Sequence, residues 1–321
     1  MSNILDIYDS LLSGPKSIAD LKILVGSHRS TIMNNIEILE NLDLINEYRE
    51  KNKRIIKIAN YNIYKENKDT YFNLPITTKD KKVCHYLFSK IKEDWNHKNN
   101  HNPPRIAVQK IVTEIANALD LPIPRSWYLY GEITVCVYDE NIPYECSSDE
   151  ISEITDLDKL HQAYENVMEK YLKADRFSQF MEIQYAHSNN NFYLAKRKFD
   201  NVLLGPYTDN EVNLKRVDMA YKLLYTYPPV EEDTTVKELL EAFVSCYVTL
   251  ILKNKIDEEM TKITCNTFKD IWDCIATHQF IRGLSTYYDK DLLNLYLTNQ
   301  TVINYQKARD AISLYVNLTY Y

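Results

Sequence analysis

The stretch that decides the fold is Ser17–Ile45, SIADLKILVGSHRSTIMNNIEILENLDLI. Serine is a preferred helix-capping residue, and an acidic residue at Asp20, three positions later, completes a pattern resembling a capping box. Glycine at Gly26 is a common end of a helix because it adopts left-handed backbone angles without strain. The pattern predicts a short helix between Ser17 and Gly26. Its expected inward positions are Ile18, Leu21 and Leu24 or Val25.

The segments on either side extend this helix into a small module. Another helix is predicted before it, over Asn3–Ser13, and a third after it, over His28–Asn41. The inward positions of the third helix are Ile32, Ile36 and Leu39, spaced four and three residues apart. Two strands follow, Leu44–Arg49 and Arg54–Ile58, and the residues between them form the turn of a hairpin.

Three helices followed by a two-stranded hairpin is the element order of a winged helix-turn-helix. Residues 15–58, about a fifth of the chain, resemble the winged helix repressors of the ArsR and MarR type. The resemblance rests on the capped helix, the glycine turn, the Arg-Ser-Thr-aliphatic start of the third helix and the Leu-Ile pair that enters the hairpin. The sequence departs from the family's pattern at Lys22, His28 and Asp43.

The resemblance makes the third helix the DNA recognition helix. Its outward residues at the N-terminal half are Arg29, Ser30, Thr31, Met33 and Asn34. Arginine can contact guanine edges or phosphate, asparagine can bond adenine through two hydrogen bonds, and serine suits a phosphate oxygen at a helix N-terminus. Glu37 and Glu40 would repel phosphate, so the helix is expected to enter the groove by its first half. The alternative is that these side chains are solvated and the module contacts protein.

The hairpin, or wing, carries a concentration of positive charge. Five cations lie within nine residues, against one acid, Glu50: they are Arg49, Lys51, Lys53, Arg54 and Lys57. On a hairpin tip such residues reach phosphates beside the groove. The alternative is a solvated edge strand, for which lysine is also common. Together with the helices, the charge favours DNA binding.

Charge and composition change along the chain. Residues 1–102 hold 16 Lys and Arg against 13 Asp and Glu, whereas residues 103–321 hold 22 against 32. We therefore divide the chain into a winged helix domain (1–62), a linker or connecting helix (63–102) and an α-rich domain (103–321). The predicted fold class is mainly α, with an N-terminal winged helix-turn-helix followed by a larger α-rich (α+β) domain. Within that domain, two strand-like runs broken at Gly131 and a hairpin over Phe180–Arg197 are the expected β structure.

Two further features of the α-rich domain suggest an effector or a partner. From Ser126 to Asp158 there are nine acids and no Lys or Arg, which fits either a partner surface or a solvated segment. The aromatic run Trp127-Tyr128-Leu129-Tyr130 would line an effector pocket or pack into the core.

Several function classes lack their motifs in this sequence. Five separated glycines exclude the glycine-rich loops that cradle phosphates, and the six cysteines and seven histidines show no metal-ligand spacing. No nucleophile elbow occurs, so we expect no catalytic residues, no metal and no cofactor. The chain begins without a signal pattern and has no membrane-length apolar run, which predicts a cytoplasmic protein.

Two hypotheses follow. The first is a transcriptional regulator that binds double-stranded DNA; the family resemblance implies a homodimer reading two half-sites, with a small-molecule or protein effector at the C-terminal domain. The second is an interaction protein that uses its winged helix as a scaffold in a larger complex, such as a defence or antitoxin assembly. No motif supports a third possibility, an enzyme.

Overall fold

The structure is a computed structural model of the 321-residue chain. It describes residues 4–12, 14–41, 45–51, 53–58, 74–174, 176–188, 190–204, 207, 209–228, 234–289, 291–293 and 302–320. The chain is mainly helical, as the sequence predicts. The helices are α1 (Ile4–Leu12), α2 (Ile18–Val25), α3 (Arg29–Asn41), α4 (Thr78–Asn99), α5 (Arg105–Ala118), α6 (Ser148–Ser152), α7 (Leu157–Tyr171), α8 (Phe177–Ser188), α9 (Asn191–Leu203), α10 (Asn210–Tyr225), α11 (Thr234–Leu252), α12 (Glu258–Leu284) and α13 (Val302–Tyr320). The strands are β1 (Lys16–Ser17), β2 (Ile45–Glu50), β3 (Lys53–Ile58), β4 (Arg125–Tyr128) and β5 (Gly131–Thr134).

Helix α2 begins and ends at the residues expected from the sequence. The Ser17 hydroxyl accepts a hydrogen bond from the Asp20 amide at 3.2 Å, and the Ser17 amide donates to Asp20 Oδ2 at 3.1 Å. The Ser17 hydroxyl also donates to Asp20 Oδ2 at 2.7 Å, and this bond, followed by the one from the Ser17 amide, holds the pKa of Asp20 below its ordinary value of 3.8. Gly26 has φ 67°, and its amide donates to the Lys22 carbonyl. The prediction that Leu24 or Val25 is buried is wrong, because Leu24 is 59% exposed and Val25 is half-buried.

Removing the α2 cap should measurably weaken the N-terminal module. Ser17→Ala leaves the first-turn amides of α2 without their side-chain acceptor, and we expect a loss of about 1 kcal/mol in the free energy of unfolding. Urea denaturation at neutral pH, where Asp20 is ionised, measures this loss. Ser17→Thr keeps the hydroxyl and should lose less than half as much. Equal losses for both variants would show that the cap is not the cause.

The N-terminal strands form a three-stranded antiparallel sheet in the order β1-β3-β2. The β2–β3 hairpin pairs Ile45 with Ile58 at its base and Glu50 with Lys53 at its tip. Strand β1, which the sequence did not predict, pairs Lys16 with Ile56 on the other side of β3. This pairing ties the start of α2 to the hairpin.

The chain divides into two compact units. The first comprises residues 1–125, 133–172 and 284–296, and the second comprises 126–132, 173–283 and 297–321. In the first unit, α4 packs against α5 and α6, and α5 packs against α7. In the second, α10 packs against α9 and α11, and α11 packs against α13. The boundaries drawn from the sequence at residues 62 and 102 both lie within the first unit. The linker's first eleven residues, 63–73, lie outside the described residues, and α4 occupies residues 78–99 of it.

The predicted hairpin over residues 180–197 is wrong, because this region forms the two helices α8 and α9. The buried residues of α8 follow a helical spacing: they are Phe180, Met181, Gln184 and Tyr185. The Asn-rich segment that resembled a turn supplies a helix cap instead, since the Asn190 side chain accepts a hydrogen bond from the Tyr193 amide. By contrast, the expected pair of strands around Gly131 is present as β4 and β5.

An aromatic core fills the second unit. Phe243 is fully buried on α11, and its ring lies parallel to that of Tyr247, with centroids 5.8 Å apart and an interplanar angle of 8°. Tyr315 and Phe268 approach the same ring at 5.6 and 5.3 Å. Contacts between α11, α12 and α13 therefore centre on one phenylalanine.

Candidate nucleic-acid interface

Helix α3 presents the predicted recognition residues to solvent along its first half. Its inward residues Ile32, Ile36 and Leu39 are fully buried, as predicted. The outward residues that are exposed are Arg29, Ser30, Thr31 and Asn34. The first turn contains no acid, so the partial positive charge of the helix N-terminus adds to that of Arg29. This end of α3 is suited to bind an anion.

The hairpin has two faces, set by its register. Because side chains alternate along a strand, Arg49 and Arg54, which are paired directly, lie on the same face as the buried residues Ile45 and Ile56. Lys53 and Lys57 lie on the opposite face. Lys51 at the tip has φ 44°, the left-handed geometry of a tight hairpin turn.

Four of the five wing cations are available to a ligand. Arg49, Lys51, Lys53 and Lys57 are exposed, and none forms an ion pair with a described residue. The Lys57 ammonium lies 5.6 Å from the centre of the Tyr48 ring, an interaction that leaves its charge uncompensated. With Arg29, α3 and the hairpin therefore present five exposed cations that have no carboxylate partner among the described residues.

The fifth wing cation, Arg54, is bonded within the protein. Its Nε pairs with Glu47 on β2, its Nη2 lies 3.9 Å from Glu40 Oε2 on α3, and its Nη1 donates to Met33 Sδ at 3.4 Å. Burial raises the pKa of Glu40, the neighbouring Glu47 carboxylate raises it further, and Arg54 opposes the rise. Met33 is accordingly half-buried beside the arginine rather than fully exposed.

The sequence placed Arg54 among the phosphate-contacting cations and gave no role to Glu47. The pairing register of the two strands indicates that Arg54 faces inward. Arg54 alternates with Ile56, whose side chain is buried, so Arg54 must also point towards the inner face of the sheet. Of the predicted site residues, the structure thus separates Met33 and Arg54, which contact each other, from the eight exposed ones.

The acidic tract is partly neutralised inside the first unit. Lys82 Nζ lies 2.7 Å from Glu150 Oε1, which lowers the pKa of Glu150 to about 2. Asp156 is 3.3 Å from Lys159. Such pairs agree with a solvated segment whose charges are locally balanced.

The aromatic run lies in the second unit, as does a run of three cations, Lys196-Arg197-Lys198. Trp127 packs on Tyr193 at 4.5 Å and Tyr128 on Phe280 at 5.2 Å, whereas Tyr130 is half-exposed. Residues 196–198 lie on α9, not on a strand. There Lys196 pairs with Asp200 and Arg197 with Glu182, so these two cations are compensated.

The described part of the chain contains neither a metal-binding cluster nor a membrane-spanning helix. No three His, Cys, Asp or Glu residues in it gather to hold a metal ion. Within the same residues, no helix has the length and apolarity needed to cross a membrane.

Comparison with known proteins gives no relative on which to base a function. No protein-family model matches the chain, and no match was found among curated proteins or solved structures.

Proposed function

We propose that the N-terminal module is a winged helix-turn-helix that binds double-stranded DNA, and that the protein is a transcriptional regulator. One observation supports this most strongly. The first half of α3 and the β2–β3 hairpin, the two parts of such a module that meet DNA, carry five exposed cations without carboxylate partners among the described residues: Arg29, Arg49, Lys51, Lys53 and Lys57.

In the proposed complex, α3 enters the major groove by its N-terminal half. Arg29 and Asn34 contact base edges, Ser30 contacts a phosphate, and the four exposed wing cations bind phosphates beside the groove. The family resemblance implies a homodimer, whose two modules would read half-sites about 34 Å apart. The acidic remainder would bind the effector or protein partner, and the regulator would act in the cytoplasm.

The dependence of binding on salt tests this proposal. Each phosphate neutralised contributes about −0.9 to the slope of log K against log salt, so the four exposed wing cations give a slope of about −3.6 per protomer. Affinity for a mixed-sequence 30-base-pair duplex, measured by fluorescence anisotropy, should fall about 150-fold between 50 and 200 mM KCl. A slope near zero, or no binding at 50 mM, would contradict the proposal.

A specific observation favours the second function, a protein-interaction scaffold. Ile23 and Leu24 on α2 are 79% and 59% exposed, and an apolar pair gives no bond to phosphate. In DNA-binding modules of this type the first helix of the motif crosses the DNA backbone. The same salt series separates the two functions, because docking through apolar side chains depends only weakly on salt.

A further inference from the structure

We propose that Arg54 is a positioning residue that fixes the angle of the wing relative to α3 and does not itself bind phosphate. We call Arg54 with its partners Met33, Glu40 and Glu47 the Arg54 clasp. The inference rests on the proposed DNA binding, since the wing must have a ligand for its angle to matter.

The clasp joins three pieces of secondary structure through one side chain. All three nitrogens of the guanidinium are engaged: Nε by Glu47, Nη2 by Glu40 at 3.9 Å and Nη1 by Met33 Sδ at 3.4 Å. Met33 and Glu40 are seven residues apart on α3, about two helical turns, and so lie on one side of that helix. Only the planar, five-donor fork of arginine can hold such a set of partners at fixed angles.

The charge of the clasp argues against a phosphate contact at Arg54. One guanidinium faces two carboxylates, so the group carries a net charge of −1 when both are ionised. The side chains are only partly exposed, at 33% for Arg54, 32% for Glu40 and 25% for Glu47, which strengthens their interactions relative to open solvent. A phosphate approaching this group would be repelled, whereas one approaching Arg49 would not.

Arg49 is the residue whose position the clasp controls. It lies directly opposite Arg54 in the hairpin register and on the same face of the sheet, but it is exposed and unpaired among the described residues. With the clasp broken, the wing cations keep their charge but lose their fixed distance from α3. Binding should then weaken without any change in the number of phosphates neutralised.

The test compares Arg54→Met with Arg49→Met, which remove the same charge from paired positions. Duplex affinity is measured over 50–200 mM KCl for the full chain. We expect Arg54→Met to lower affinity about 5- to 30-fold at every salt concentration with an unchanged slope. Arg49→Met should make the slope shallower by about 0.9.

A second pair of variants keeps every cation in place. Glu40→Gln and Glu47→Gln remove negative charge near the DNA, which by simple electrostatics would tighten binding. The clasp predicts the opposite, a loss of about 3- to 10-fold with no change of slope. Arg54→Lys, which retains the charge but lacks the fork, should bind no better than Arg54→Met.

The outcomes distinguish this inference from the proposed function. If Arg54→Met makes the slope as shallow as Arg49→Met does, Arg54 contacts phosphate and the inference is wrong. If the glutamine variants bind more tightly than the wild type, the clasp does not position the wing. If the wild type itself shows no salt-dependent binding, the proposed DNA binding fails, and the inference fails with it.

Discussion

Reversing three wing cations together, as Arg49→Glu, Lys51→Glu and Lys53→Glu, should weaken duplex binding at 50 mM salt by at least about 100-fold. The three side chains are exposed at the tip of the β2–β3 hairpin, where the neighbouring phosphates of a bound duplex would lie. Losing three contacts should reduce the salt slope by about 2.7, and three new carboxylates would add repulsion.

A control with the same change of net charge shows whether the location matters. Lys215, Lys222 and Lys255 are exposed lysines outside the N-terminal module. Their triple replacement by glutamate should change affinity only a few-fold, through the long-range field. Similar losses for the two triple variants would show that binding senses overall charge, and the wing would have no special role. Because all six side chains are exposed, we expect both variants to fold, and circular dichroism checks this.

Truncating the central ring of the second unit should have the largest effect on stability. Phe243→Ala removes a fully buried ring that contacts Tyr247, Tyr315 and Phe268. The lost transfer free energy and the cavity left behind should together cost about 3–5 kcal/mol. The urea midpoint of unfolding of the full chain measures this cost.

Phe177 provides the matched control, because it is the same residue type in the same unit but is 49% exposed. Its ring meets only the edge of the half-exposed Tyr130 among the aromatic contacts described for it, at 5.5 Å. Phe177→Ala should therefore cost less than about 1 kcal/mol. Equal shifts for the two variants would contradict the placement of the core around Phe243.

Local signals in the sequence predicted the N-terminal elements well. The capping box at Ser17 and Asp20 and the left-handed Gly26 fix both ends of α2, because each depends on residues within four positions of one another. The hairpin was also predictable, from two short strand-like segments joined by a polar turn. Strand β1 was not, since two residues show no periodicity, and its existence depends on pairing with β3, about forty positions further on.

Features that depend on tertiary packing could not be predicted from local patterns. The runs over residues 180–185 and 192–197 are six residues long, too short to separate a strand from a buried helix. Leu24 fits an inward helical position, yet it is exposed because the described partners of α2 cover only one side of it. The ion pairs of Arg54 join it to carboxylates seven and fourteen positions away. The local sequence therefore shows only a cation in a basic hairpin and does not reveal its partners.

The strand order β1-β3-β2 has one more consequence. It leaves β2 at the margin of the sheet, with no strand of the described residues on its outer side. Such a margin can recruit the same strand of another molecule and start fibrous self-assembly. Here the charges of Glu47, Arg49 and Glu50 alternate in sign along a short, twisted ribbon. Pairing between two copies along this strand would bury these charged side chains, and that cost opposes self-assembly.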